Sequence, residues 1–272
     1  MNKLKGYKIN ISFNNGCTEC DNDVELTQFF CRTGGKGHII KEIFKLIPNH
    51  KIYVEPFVGG GSLYWGKKQA TKSIINDLDK ELIDGYKLLK SFSINENPAN
   101  FPLQNTVGTI QAIVDKQNPN KYEKLMGYLY KSCNSFGCKG FGRIYKDRSQ
   151  INKINKINDY IKKIKNTTIE SQDYKKIIQK YDSPQTFFFL DPPYEASESL
   201  YKEFEIDYQE MNRILLNIKG LFLLTINDSP SIRKIFNNFN IKKIIVPPTA
   251  HRSANVIGAS YRNELIITNY TI

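Results

Sequence analysis

Apolar positions along the chain fall into short runs, and stretches with helical spacing lie between most of them. Residues 51–56, with Ile52, Tyr53 and Val54, predict a strand, and residues 73–77, with Ile74 and Ile75, predict another. Residues 167–171 give a weaker third. Thr186–Leu190 reads TFFFL, apolar on both faces, as a strand buried inside a parallel sheet would be. Residues 221–226, 243–246 and 264–268 complete the series. Residues 38–47 place Ile39, Ile43, Phe44 and Ile47 on one helical face, and residues 82–92 form another candidate helix. Ile151, Ile154, Ile157, Ile161 and Ile164 recur every three or four residues, with Lys153, Lys156, Lys162 and Lys163 on other faces. That pattern predicts one amphipathic core helix with a basic exterior.

Strands alternating with helices predict an α/β sheet with helices on both faces. The alternation weakens between residues 93 and 148, where Pro98, Pro102, Pro119 and many Asn precede a Gly-rich piece. This stretch reads as an insertion with its own task. No internal repeat is visible.

Composition narrows the classes. A chain of 272 residues, 40% of them hydrophobic, can bury a substantial core and is not disordered as a whole. Lys and Arg number 39 against 27 Asp and Glu, a formal charge of +12. That surplus favours a polyanionic partner, although charge alone also fits a Lys-rich solvated surface. No apolar run reaches the ~18 residues of a membrane span, and residues 1–15 lack a signal-peptide core. An intracellular protein is therefore expected. Five Cys do not suggest a disulfide framework. Cys17 and Cys20 form a CxxC, with Cys31 and His38 further on. No second CxxC follows and the spacing is irregular, so reduced thiols are expected over a zinc site.

Two constellations carry chemistry. The first is Glu55-Pro56-Phe57-Val58-Gly59-Gly60-Gly61-Ser62 at a strand end. Glycines here let backbone N–H groups approach a ligand at a helix start, and a tight turn without a ligand is the plainer alternative. Asp77, 16 residues past Gly61, ends the next strand, where nucleotide-binding sheets place a carboxylate for ribose hydroxyls. The second is Asp191-Pro192-Pro193-Tyr194 directly after TFFFL. A buried strand thus delivers an acid, a stiff turn and an aromatic to the edge where open α/β sheets bind ligands.

In this order the motifs resemble the Dam-like family of DNA adenine methyltransferases over about residues 30–270. Phe30-Cys31-Arg32-Thr33-Gly34-Gly35-Lys36 is similar to the family's N-terminal motif, whose lysine approaches S-adenosylmethionine. EPFVGGGS resembles its cofactor loop, and Ile75-Asn76-Asp77-Leu78-Asp79 its ribose-binding element. Gln172-Asp173-Tyr174 resembles the motif in which an Asp meets the cofactor's adenine. Thr225-Ile226-Asn227-Asp228 resembles the motif after the following strand. YKSCNSFGCKGFGRIY, residues 130–145, resembles the recognition loop. Residues 250–265 resemble the stretch that touches DNA.

The resemblance implies a Rossmann-like class I methyltransferase sheet with an inserted, mainly helical target-recognition domain. It implies an N-terminal extension at 1–26, a catalytic domain at 27–92 and 166–272, and the insertion at 93–165. Catalysis falls to Asp191, Pro192, Pro193 and Tyr194. S-adenosylmethionine falls to Lys36, Glu55, Pro56, Phe57, Gly59, Gly61, Asp77, Asp173 and Tyr174. Double-stranded DNA falls to Asn134, Phe136, Lys139, Arg143, Lys146, Arg148, Arg252 and Arg262. A monomer or weak dimer without metal is expected. Ser135-Phe136-Gly137-Cys138-Lys139 departs from the commoner Asn-Gly-Leu pattern, which leaves the recognised DNA sequence open. RNA adenine methylation and a non-catalytic binding module are the alternatives. Methylation of glutamine or of cytosine N4 more often goes with Asn or Ser where Asp191 stands.

Overall fold

The computed structural model describes residues 26–32, 36, 39–135, 144, 148–193, 206–246 and 261–272. In chain order the elements are α1 (Ile40–Phe44), β1 (Ile52–Glu55), α2 (Ser62–Gly66), β2 (Lys72–Asn76) and α3 (Lys80–Ser91). Then come a 3-10 turn (Pro98–Asn100), α4 (Val107–Val114), α5 (Lys121–Asn134), α6 (Ile151–Asn155), α7 (Ile157–Lys165) and β3 (Thr167–Glu170). The chain continues with α8 (Tyr174–Tyr181), β4 (Thr186–Leu190), α9 (Tyr208–Leu216), β5 (Leu221–Asn227), α10 (Pro230–Ile235), β6 (Asn240–Val246) and β7 (Arg262–Thr268). All seven strands expected from the sequence are present. The fold class is α/β, as the alternation predicts.

Two compact units divide the chain. Of the described residues, the first comprises those within 38–57 and 173–272, the second those within 22–37 and 58–172. Residues 93–165 therefore fall inside the second unit.

In the first unit the strands run in the order β1-β4-β5-β7-β6. β4 is buried at every position and pairs in parallel with β1 and β5, which is why its sequence is unbroken Thr-Phe-Phe-Phe-Leu. β7 lies antiparallel to both β5 and β6. β6 closes the edge with Lys242 and Lys243 exposed, charges that discourage edge-to-edge pairing. Tyr270 is buried and donates to the Leu46 carbonyl at 2.8 Å; burial pushes its phenol far above the ordinary value.

In the second unit β2 and β3 pair in parallel. The Asp79 side chain accepts from Leu82 N at 3.0 Å and caps α3, and Asn120 with Glu123 forms a reciprocal capping box on α5. An aromatic cluster fills the core. Phe29 meets Tyr160 edge-on at 4.8 Å, Trp65 meets Tyr160 at 5.0 Å, and Phe30 meets Tyr86 at 5.0 Å.

The single basic-backed helix expected over residues 151–164 is corrected here. It is two helices, α6 and α7, broken at Lys156 (φ −100°, ψ 16°). Ile154, Ile157, Ile161 and Ile164 are fully buried, but Ile151 is exposed. Two of the lysines assigned to the exterior turn inward. The Lys153 ammonium donates to the Phe29 carbonyl at 2.5 Å and to Cys133 Sγ at 3.2 Å. The Lys163 ammonium donates to the carbonyls of Trp65 and Lys67 at 2.7 and 2.6 Å, at the end of α2. Carbonyls left over at a helix end need donors, and a long lysine stem can supply one from beneath an apolar face.

Among the described residues, no helix is long and apolar enough to cross a membrane. Packing around Gly220 provides a test of the first unit. A Cβ there would stand 2.7 Å from the Thr186 carbonyl and 3.0 Å from that of Ser183. Gly220→Ala is expected to cost about 1–3 kcal/mol, because backbone must yield to make room. Urea unfolding checks this; an unchanged midpoint would contradict the packing.

Candidate active site

In the second unit, the turn at residues 58–61 is built by backbone constraints. Val58 N donates to the Asn76 carbonyl at 2.8 Å, and Gly61 N donates to the Val58 carbonyl at 2.7 Å. Gly59 and Gly61 take φ of 47° and 70°, left-handed values that disfavour side chains. Gly60 has no room for one, since a Cβ would lie 2.6 Å from both the Phe30 carbonyl and Gln28 Oε1. The three glycines thus hold a tight, narrow turn at the start of α2.

Asp77 ties this turn to the end of β2. Its Oδ2 accepts from Gly59 N at 2.9 Å and its Oδ1 from Asp79 N at 3.0 Å. Burial raises the Asp77 pKa, and the two backbone donors oppose that rise. A carboxylate has about four acceptor positions, so each oxygen can take a further hydroxyl. Asn76 is locked in turn. Its amide donates to the Gln172 carbonyl and its oxygen accepts from Gln172 N, both at 2.8 Å. The Tyr86 hydroxyl holds the Gly59 carbonyl at 2.9 Å. Lys36 is buried in the same unit.

In the first unit, β1 ends on the buried Glu55, which accepts from the Tyr53 hydroxyl at 2.6 Å. Pro56 and Phe57 follow, and the Phe57 ring lies 5.2 Å from that of Tyr174. Asp173 caps α8 by accepting from Lys175 N at 2.8 Å. The Tyr174 hydroxyl is buried and has no hydrogen-bond partner among the described residues. Its pKa is pushed far up by burial, and next by the negative charges of Glu210, Asp173 and Asp207.

β4 delivers Asp191. The Thr225 hydroxyl of β5 donates to Asp191 Oδ1 at 2.9 Å and so fixes the rotation of the carboxylate. Pro192 is buried, and the Pro193 carbonyl accepts from the Tyr208 hydroxyl at 2.5 Å. The acid and its Pro-Pro turn are therefore held from both sides. Asp228 ion-pairs with Arg233 through contacts of 2.6 and 2.9 Å, and that guanidinium holds its pKa below the ordinary range. Tyr53 and Tyr208 are supports that sequence reasoning did not find. A tyrosine at a helix start or a strand centre carries no signal of a hydroxyl reaching a particular carboxylate or carbonyl.

Among the residues assigned to DNA, Asn134 is fully buried. Its amide donates to the Arg148 carbonyl at 2.9 Å, and its oxygen accepts from Gln150 at 3.1 Å. Ser135 and Ile144 form an isolated antiparallel bridge. Arg148 and Arg262 are exposed. Tyr194, Phe136, Lys139, Arg143, Lys146 and Arg252 lie outside the described residues, as do Cys17, Cys20 and His38. Cys31 and Cys133 are free thiols, and no metal-binding cluster is found among the described residues.

Known proteins bear on these features. The type II methyltransferase M1.LlaDCHI of Lactococcus lactis subsp. cremoris is 27% identical, an alignment covering 92% of this chain and 97% of the relative. The type II methyltransferase M.MjaIII of Methanocaldococcus jannaschii is 26% identical over 91% of this chain and all of its own length. The type II methyltransferase M.CviBI of Paramecium bursaria Chlorella virus NC1A is 23% identical over 76% of this chain and 85% of the relative. A family model, D12 class N6 adenine-specific DNA methyltransferase, matches residues 33–135 and 121–246, a span holding the glycine turn, Asp77 and Asp191. With its α/β sheet and these matches, the chain belongs to the D12 class of N6 adenine-specific DNA methyltransferases.

Proposed function

We propose that this chain uses S-adenosylmethionine to methylate N6 of an adenine flipped out of duplex DNA, at one short site. The observation that carries the mechanism is Asp191 at the end of a buried strand, its carboxylate held by Thr225 and its Pro-Pro turn by Tyr208. The adenine amino lone pair is delocalised into the ring and is a poor nucleophile. The Asp191 carboxylate and the Pro192 carbonyl accept hydrogen bonds from that amino group. Accepting those bonds favours the attacking geometry and stabilises positive charge as it develops on nitrogen. Asp191 need not take a proton before attack, because the nitrogen loses one readily once it is cationic. Tyr194 stacks on the base, and holding the reacting atoms in line supplies much of the rate.

The donor contributes an electrophilic methyl on a sulfonium. Three features of the chain fit such a molecule. The narrow glycine turn admits close backbone approach, Asp77 retains acceptor positions for ribose hydroxyls, and the buried Tyr174 hydroxyl, next to Asp173 in sequence, has no hydrogen-bond partner among the described residues. Lys36, Glu55, Pro56, Phe57, Gly59 and Gly61 complete the set that would hold it. A paired base must leave the stack at a cost of a few kcal/mol before it can react. Phe136 or Phe141 is assigned to the vacated stack, and Lys139, Arg143, Lys146, Arg148, Arg252 and Arg262 to phosphates or base edges. Asn134, buried against the Arg148 backbone, acts by holding the ends of that loop. The charge of +12 suits a polyanion. The enzyme acts as a monomer or weak dimer.

Asp191→Ala is expected to lower single-turnover methyl transfer by about 100-fold or more while S-adenosylmethionine affinity stays within about twofold. Transfer at the wild-type rate would remove Asp191 from the mechanism. A wild-type protein that binds both ligands and never transfers a methyl would favour a binding module. Neutralising Lys139, Arg143, Lys146 and Arg148 together is expected to weaken DNA binding and to flatten its salt dependence by about 0.9 in slope per lost phosphate contact. Measured by fluorescence anisotropy across salt concentrations, an unchanged slope would take the cluster off the DNA.

A further inference from the structure

A chain of contacts in the second unit runs from the N-terminal motif to the glycine turn. The Arg32 guanidinium donates to Asp79 Oδ2 at 2.5 Å. The other Asp79 oxygen accepts from Leu82 N at 3.0 Å and starts α3. The backbone N–H of Asp79 donates to Asp77 Oδ1 at 3.0 Å, and Asp77 Oδ2 holds Gly59 N at 2.9 Å. From guanidinium to glycine, every link is a hydrogen bond. The Arg32 side chain is only 15% exposed and that of Asp79 31%, so the pair is sheltered although not buried.

The Asp79 carboxylate has two duties on its two oxygens. One caps a helix, and the other answers a cation that stands four residues before Lys36. Without the guanidinium, the Asp79 carboxylate keeps the Leu82 N–H as its one restraint in this chain of contacts and loses the second point that fixes its plane. Its backbone N–H would then be less firmly aimed at Asp77. A planar guanidinium suits this task because it fixes direction as well as charge.

We propose that Arg32 is a positioning residue for the methyl donor, acting through Asp79 to set the orientation of the Asp77 carboxylate and the glycine turn. The assignment rests on the reading of Asp77 and the turn as donor-binding. It adds a residue with no part in the chemistry whose loss shows in donor affinity and not in turnover. A partly exposed ion pair contributes modestly to stability, so Arg32 matters mainly by orientation.

The test uses the full-length protein, S-adenosylmethionine titrations and DNA at saturation. Wild-type binding and transfer are measured first. If the wild type binds no donor, the donor-site reading fails and this assignment falls with it. Given a binding wild type, Arg32→Ala is expected to raise KM and Kd for the donor about fivefold, with kcat within about twofold. Arg32→Lys should recover part of that loss. Asp79→Asn keeps an oxygen to cap Leu82 and removes the charge that answers Arg32. It should reproduce the KM effect at a near-native melting temperature, and it carries the test if Arg32→Ala does not fold. The double variant should be no worse than either single one. Donor KM unchanged in both single variants, a fall in kcat at unchanged KM, or additive losses in the double variant would each overturn the assignment.

Discussion

The glycine turn of the second unit depends on one half-buried carboxylate that accepts from backbone N–H groups on two sides. Asp77 draws Gly59 N and Asp79 N toward its two oxygens, so the end of β2 and the glycine turn cannot move independently. Burial works against the charge, and the backbone donors work for it. The turn needs such a clamp. Its glycines are left-handed at Gly59 and Gly61, a conformation that side chains disfavour. Tyr86 on the Gly59 carbonyl and Asn76 on Gln172 extend the same rigid frame.

The first unit solves a related problem differently. In the proposed mechanism Asp191 presents acceptors to a substrate amine without rotating away, and a strand end alone does not ensure that. β4 and β5 run in parallel, which brings Thr225 beside Asp191, and Pro193 is pinned by a tyrosine from α9. Preorganisation of this kind lets acceptors wait in place for charge that develops only during reaction.

Much of the fold was legible because the strands obey simple burial rules. Thr186–Leu190 is apolar on both faces since both faces are covered, and its boundaries in sequence and structure coincide. The motifs were legible because glycine, proline and acid at a strand end are unusual for reasons of backbone geometry. What escaped is long-range and polar. Lys153 and Lys163 look like solvent-facing residues in any helical projection, yet each ammonium serves carbonyls more than 90 positions away. The break at Lys156 has no proline or glycine to announce it. Asn134 looked like a recognition residue and is buried on the Arg148 carbonyl. Arg32 and Asp79 meet across 47 residues, and Tyr208 finds Pro193 across 15, pairings that no local pattern encodes.

The central claim is that this chain methylates adenine N6 in duplex DNA. Purified protein, labelled S-adenosylmethionine and unmethylated genomic DNA, with RNA of matched length alongside, test it most directly when followed by nucleoside analysis and single-molecule sequencing. N6-methyladenine confined to one short DNA motif is the predicted result. Label found in RNA alone, or in no nucleic acid, would contradict it.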